Sequence, residues 1–318
     1  MRTMGSLFSG IGGWEFAARG VMEPLWAVEL EPKVAEAYEA NHGDHVIISD
    51  LRKVDPRRLA PVDVLVASPP RPDFSKALKD TSKPRDPEIA KLGLDIVRYV
   101  KVLQPECVCV ENAPEYLDSD VGGELMDRLR ILGYAVQGAR LRASDYGCPQ
   151  IRERTIIRAV RHPLPGVEIG NTVPSLPEKT FLSWDAALED LLPELDRAEL
   201  AGWQADNIKH VPPTSYPVFV SGGSPPAFKN ETGHRRVWTS HGMPCPTVAR
   251  AKSSSGAKIM LGKNDVRQVS IDAFAALSGF LDPGVLVLPK GSRTDSINLL
   301  GNTIPLQLAA AALHGMMG

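Results

Sequence analysis

The chain has 318 residues, 36 lysines and arginines against 38 aspartates and glutamates, and a formal net charge of -2. Charged residues make up 23% and hydrophobic ones 43%, which suits a folded globular protein and excludes a wholesale basic, histone-like binder, although a local patch is enough to hold nucleic acid. No apolar run reaches the roughly 18 residues of a membrane span, and the four cysteines lack both a disulfide framework and the C-x-x-C pairs of structural zinc, so a cytoplasmic protein without membrane or metal is expected.

In chain order, short apolar and β-branched runs predict strands at 4–8, 24–28, 46–48, 62–67, 107–110 and 154–159. Helical patterns lie between them at 32–41 and 89–103. Alternation of strands and helices predicts an α/β domain with a mainly parallel sheet covered on both faces. From about residue 163 to 247 the chain turns rich in Pro, Gly, Ser and His, with one clear helix at 184–192. A polar linker at 252–256 follows, and then helical patterns at 271–277 and 305–316. The expected division is therefore 1–162, a small domain at 163–250, and a segment at 251–318 that packs back on the first domain.

Phe8-Ser9-Gly10-Ile11-Gly12-Gly13 follows the first strand and opens a helix. Glycines there let the backbone turn sharply and approach a ligand, or simply make a tight strand-to-helix turn. Glu29 ends the second strand, where a carboxylate accepts hydrogen bonds from a ribose diol or complements a helix dipole. Asp50 follows the third strand as a partner for an adenine amino group or as the cap of the next turn.

These residues, with Pro69-Pro70 and Phe74-Ser75, Glu111-Asn112, Gln150-x-Arg152-x-Arg154 and Gly301-Asn302-x-x-Pro305, form an ordered set. The set resembles that of the DNA cytosine-5 methyltransferases and runs from residue 4 to about 310. The resemblance implies a Rossmann-like S-adenosylmethionine-dependent methyltransferase fold with a second, smaller target-recognition domain, and double-stranded DNA with a flipped base as partner. It implies that Phe8, Gly10, Ile11, Gly12 and Pro69 line the cofactor, that Glu29 holds its ribose, that Leu30 lies against the adenine, that Asp50 and Leu51 hold the adenine edge, and that Asn302 helps close the methionine end.

In that family a cysteine thiolate adds to cytosine C6, so that C5 becomes nucleophilic enough to take a methyl group. A glutamic acid at N3 and an arginine at O2 take up the developing charge. The resemblance gives these roles to Glu111 and Arg154, with Arg152 beside them and Arg142 and Arg158 nearby. The family loop reads Pro-Pro-Cys-Gln-x-Phe-Ser, whereas this chain reads Pro69-Pro70-Arg71-Pro72-Asp73-Phe74-Ser75. Arginine stays protonated and delocalised and is a very poor nucleophile. Arg71 could instead stack on a base, pair with a phosphate, or block the pocket. Cys148, in the loop before Gln150, is the foremost surrogate thiol and Cys109 a weaker one, while a small buried hydrophobe is the commoner fate of a free cysteine. Three readings follow: a methyltransferase working without the usual cysteine, a non-catalytic DNA-binding homologue that supports a partner enzyme, and a modifier of a different base or atom.

Overall fold

The computed structural model describes residues 1–70, 87–161, 173–208, 211–220, 238–248 and 256–316. The chain forms two compact units. The first comprises Met1–Arg142, Glu153–Glu178 and Leu308–Gly318, and the second Ala143–Arg152 and Lys179–Gln307. This division differs from the expected one, because the chain leaves the first unit at Arg142 and only the part of the 251–318 segment from Leu308 onward belongs to that unit.

The elements through the first unit are β1 Arg2–Leu7, α1 Gly13–Ala18, β2 Met22–Glu29, α2 Pro32–His42, β3 Val46–Ile48, β4 Val64–Ala67, α3 Pro87–Leu103, β5 Cys107–Asn112, α4 Asp120–Ile131 and β6 Tyr134–Arg142. The two-residue β7 Gln150–Ile151 belongs to the second unit, and β8 Glu153–Arg161 returns to the first. Seven strands form one sheet in the order β3-β2-β1-β4-β5-β8-β6. The first five pair in parallel, as their apolar runs predict. β8 is antiparallel to both β5 and β6, so the far edge of the sheet is a hairpin that the parallel expectation missed.

Every residue of β4 and β5 is buried, which fits strands covered on both faces. α3 buries Ile96, Tyr99 and Val100 in this core, and α4 buries Leu125 and Leu129. These are spacings of three and four, one stripe of each helix. Ser119 starts α4 by accepting the Gly122 amide at 3.1 Å. The strand order reverses between β1 and β4, which run side by side to the pair Leu7 and Ala67. Ligands of open α/β sheets bind outside the carboxyl ends of strands at such a switch point.

The segment from Leu308 onward is tied to β5 and β8. Arg158, 2% exposed, donates to the carbonyls of Pro174 at 2.6 Å and His314 at 2.5 Å. Cys109 Sγ lies 3.7 Å from the Ala312 carbonyl and 3.3 Å from Met316 Sδ.

The second unit adds α5 Trp184–Ala187, α6 Gly202–Asn207, β9 Val218–Val220, β10 Trp238–Ser240, β11 Cys245–Pro246, β12 Lys258–Gly262, β13 Asp265–Gln268, α7 Ile271–Leu277 and α8 Arg293–Asn302. A further helix, α9 Leu306–Leu313, leads back into the first unit. An antiparallel sheet runs β10-β9-β12-β13, and β11 pairs in parallel with β7. Trp184 is fully buried, and its indole donates to the Ser240 carbonyl at 3.0 Å. The helix expected at 184–192 ends at Ala187, and a 3-10 turn at Leu192–Glu194 takes up Pro193. Among the described residues no helix is long and apolar enough to cross a membrane.

Candidate functional site

The glycine loop leaves β1 through three left-handed residues, Phe8 at φ 55°, Gly10 at φ 59° and Gly12 at φ 88°. Glu29 shapes it from the end of β2. One carboxylate oxygen accepts the Gly10 amide at 2.9 Å, and the other accepts the Leu30 and Glu31 amides at 2.9 and 3.0 Å. Gly12 serves a second purpose, since a Cβ there would come within 2.1 Å of the His42 ring. Replacing Gly12 by alanine is expected to cost roughly 1–3 kcal/mol, from strain at positive φ and from overpacking. Urea unfolding checks this, and adding His42→Ala should recover only the overpacking part.

The loop is open at Gly10, for a Cβ there would meet nothing within 4 Å. Part-exposed Glu29 and the 59% exposed side chain of Leu30 stand beside it. A carboxylate for a ribose diol, an open glycine turn and an apolar surface for an adenine fit S-adenosylmethionine in kind. Leu51 and Asp50 are both engaged within the chain, and Asp50 caps the turn that follows β3. Leu51 is a core residue, 5% exposed, and its carbonyl accepts from Tyr99 at 2.6 Å and Arg98 at 2.7 Å. Asp50 is clasped by Arg52, whose Nη2 lies 2.6 Å from Oδ2 and whose Nε and backbone amide reach Oδ1 at 3.0 and 2.9 Å. The hydrogen bonds from Arg52 hold the Asp50 carboxyl at about 2.

Across the switch point, Trp14 donates to Ser68 at 3.0 Å. Asn112 Nδ2 donates to the Pro69 carbonyl at 3.1 Å, while Asn112 Oδ1 accepts the Ala113 amide at 2.7 Å. Asn112 thus fixes the start of the Pro69-Pro70 loop to the end of β5. Pro69 is itself buried. Gly93 of α3 leaves room on the same side, since a Cβ there would lie 2.4 Å from the Tyr116 hydroxyl and 3.8 Å from Pro69. A lone glycine inside a helical pattern was the available signal for this close approach. Arg71, expected on the loop that follows, lies outside the described residues.

Glu111 and Arg154 meet on neighbouring strands. Arg154 Nε is 2.8 Å from Glu111 Oε1, and both side chains are 5% exposed. Arg154 also donates to the Glu153 carbonyl at 2.6 Å. Two opposite charges held this deep are stable only as a pair.

Arg152 and Cys148, expected near catalysis, and Asn302, expected at the cofactor, belong to the second unit. Arg152 is fully buried and donates to the Gly301 carbonyl at 2.6 Å. Asn302 is the last residue of α8 and is exposed. Cys148 is withdrawn as a surrogate nucleophile: it is fully buried, its Sγ lies 3.7 Å from the Leu277 carbonyl, and burial pushes its thiol up to about 11. The remaining thiols share its fate. Burial raises Cys109 to about 12 and pushes Cys107 and Cys245 up as well. A buried, protonated thiol neither reaches a substrate nor attacks it.

The sequence profile of the C-5 cytosine-specific DNA methylases matches residues 2–316. The chain belongs to this family. Among curated proteins, the type II methyltransferase M.FnuDI of Fusobacterium nucleatum is 27% identical over 96% of this chain and 91% of its own length. M1.HphI of Haemophilus parahaemolyticus is 32% identical over 47% of this chain, a match that spans only 43% of that relative. Several other curated relatives are likewise matched over less than half their length. The fold resembles that of a candidate DNA modification methyltransferase encoded within an E. coli prophage, with a TM-score of 0.66 at 17% identity over 99% of this chain and 98% of the other. It also resembles the DNMT2 of Spodoptera frugiperda, with a TM-score of 0.63 at 16% identity over 98% of each chain. The Rossmann-like core and the smaller second unit are thus those of a C-5 methylase.

Proposed function

We propose that this C-5 methylase binds S-adenosylmethionine and double-stranded DNA and works without a cysteine adduct on cytosine. By the family resemblance Arg71 stands at the nucleophile's position. The observation that carries the reading is the state of the sulfur. All four cysteines of the chain are buried, with their thiols held protonated. Cytosine C5 is a poor nucleophile until a thiolate adds at C6. A methyl group moved by this chain alone therefore goes to an atom that is nucleophilic unaided, such as an exocyclic amine.

On this reading Phe8, Gly10, Ile11, Gly12, Glu29 and Leu30 hold the cofactor, with Asn302 assigned to its methionine end by family resemblance. The bound cofactor supplies an electrophilic methyl group on sulfonium. Glu29 keeps the loop in shape through its three amide bonds while offering its exposed edge to the ribose. Asp50 reaches an adenine amino group only if Arg52 yields part of its grip. Glu111 and Arg154 are pre-paired, so a flipped base engages them by exchanging into an existing contact, which costs less reorganisation than ordering free side chains. The buried thiols equally favour a second reading, in which the same protein binds cofactor and DNA and serves a partner enzyme.

One experiment separates the two. The protein is incubated with isotope-labelled S-adenosylmethionine and mixed-sequence DNA, and the digested nucleosides are identified by mass spectrometry. Label on an exocyclic amine supports the first reading. Cofactor and DNA binding by calorimetry without any label supports the second. Labelled 5-methylcytosine sinks the cysteine-free proposal.

A further inference from the structure

Behind the glycine loop lies a titratable chain that the proposed function does not use. Glu15 of α1 is 3% exposed, and its Oε1 accepts from the Tyr38 hydroxyl at 3.1 Å. The same hydroxyl lies 2.9 Å from His45 Nε2. One turn beyond Tyr38 on α2, His42 places Nε2 3.3 Å from the Ile11 carbonyl and fills the space against Gly12. The Tyr38 and His42 rings stand 4.8 Å apart, and His42 meets Phe16 edge-on at 4.5 Å. One face of α2 therefore grips both the cofactor loop and the helix the loop opens. Ser6 of β1 faces Glu15, Arg19 at the end of α1 faces His42, and Asp44 stands beside His45.

A tyrosine hydroxyl carries one proton, and a neutral imidazole carries one on either nitrogen. With Glu15 ionised, Tyr38 donates to the carboxylate, and His45 Nε2–H donates to the tyrosine oxygen. With Glu15 protonated, its O–H donates to Tyr38, and Tyr38 donates to a bare His45 Nε2. Every hydrogen bond is kept in both states. They differ by one proton on Glu15 and by the tautomer of His45.

We propose that the Glu15–Tyr38–His45 chain is a pH-responsive brace of the cofactor loop, which holds α1 and the loop in shape while Glu15 is protonated and weakens cofactor binding when that proton is lost. The loss strands a carboxylate behind the loop, and a buried charge draws toward water and away from its packing. Burial raises the Glu15 carboxyl to about 7, so the switch falls near neutral pH. Burial, with the Arg19 cation adding, holds His42 down to about 4, so that ring stays neutral near pH 7, and burial lowers His45 against the opposing Asp44 charge and so favours its neutral ring there. The effect on the cofactor rests on the function proposed above, whereas the brace itself does not.

The test uses the whole protein, with Glu15→Gln as a neutral isostere and Tyr38→Phe to cut the relay. Nitrogen NMR follows the His45 tautomer, hydrogen exchange follows the Gly10–Gly13 amides, and calorimetry measures S-adenosylmethionine affinity, all across neutral pH. In the wild type His45 should pass from Nδ1–H to Nε2–H near pH 7, and loop protection, corrected for the intrinsic base-catalysed rise of exchange with pH, should fall. Cofactor affinity should fall about tenfold one pH unit above the midpoint, as expected when only the protonated form is competent. Glu15→Gln should remove all three changes, and Tyr38→Phe should uncouple the tautomer from Glu15. The sign for stability follows from the raised carboxyl: the folded chain binds the extra proton between 4.5 and about 7, so the urea midpoint falls as pH rises through that window and stays level above it, and the slope vanishes in Glu15→Gln. A fixed His45 tautomer, or loop exchange that ignores the tautomer, overturns the brace. A tautomer and loop that respond while cofactor affinity does not overturn the coupling. Absence of cofactor binding at every pH counts against the proposed function and leaves the first two readouts to decide the brace.

Discussion

Arg71→Cys combined with Pro72→Gln is expected to convert a protein that forms no adduct into one that does. On DNA carrying 5-fluorocytosine, a thiolate at C6 and a methyl at C5 leave no C5 proton to remove, so the enzyme stays bound to the strand. The wild-type chain should give no such species on a denaturing gel, because none of its four thiols is exposed. The double variant should give a band that requires both cofactor and DNA, and its transfer to cytosine C5 should rise on the order of 10⁴-fold or more, the scale on which nucleophile removal acts in other enzymes. Restoration would mean that Glu29, Glu111 and Arg154 still form a working frame around one missing atom. An adduct with the wild type would overturn the cysteine-free reading outright. Failure of the variant to bind cofactor would locate the loss in the glycine loop or at Asp50 instead.

The largest effect on stability is expected at Arg154. With its guanidinium gone, Glu111 remains as an uncompensated charge 5% exposed to water. Arg154→Ala should therefore lose about 3–5 kcal/mol of unfolding free energy. Removing both charges with groups of similar volume, as in Glu111→Leu with Arg154→Met, should return most of that loss, because the pair offsets its own desolvation and adds little beyond it. Urea titration of Glu111→Leu, Arg154→Met and the double variant closes the cycle. Additive losses would show that the two side chains act independently, and the ion pair would then be no more than a proximity.

Much of this was legible in the sequence. β4 and β5 announce themselves as unbroken apolar runs, and the glycine loop stands where a strand gives way to a helix. What escaped has physical reasons. β6 is half exposed and interrupted by Gly138, so it has neither the continuous run of a central strand nor clean alternation. α4 carries Gly122-Gly123, poor helix formers, in its first turn and is recovered by the Ser119 cap and by packing of Leu125 and Leu129. α8 was readable, since Ser292 and Asp295 make a capping box, but it lacks a clear apolar stripe. At the site, the motif residues Glu111 and Arg154 do meet, whereas Arg152 and Cys148 share their motif and turn inward. Arg152 and Cys148 lie between strands, where spacing assigns no face, and only their partners, the Gly301 and Leu277 carbonyls, reveal their direction. The grip of Arg52 on Asp50 and the burial of Glu15 arise from packing and leave no local sequence signal.

The division of the chain also bears on the order in which it is made. The first unit is not finished when β8 leaves the ribosome, because Arg158 still lacks the His314 carbonyl and Cys109 still lacks Ala312 and Met316. Everything from Lys179 to Gln307 must be synthesised before the Leu308–Gly318 segment can close that face. During this interval a nascent chain holds a buried-type cation and an apolar strip open to chaperones, and domain-by-domain folding gives way to a single late closure. A shortened chain ending before Leu308 should accordingly aggregate rather than leave a smaller soluble protein, even though it would retain every residue of the glycine loop.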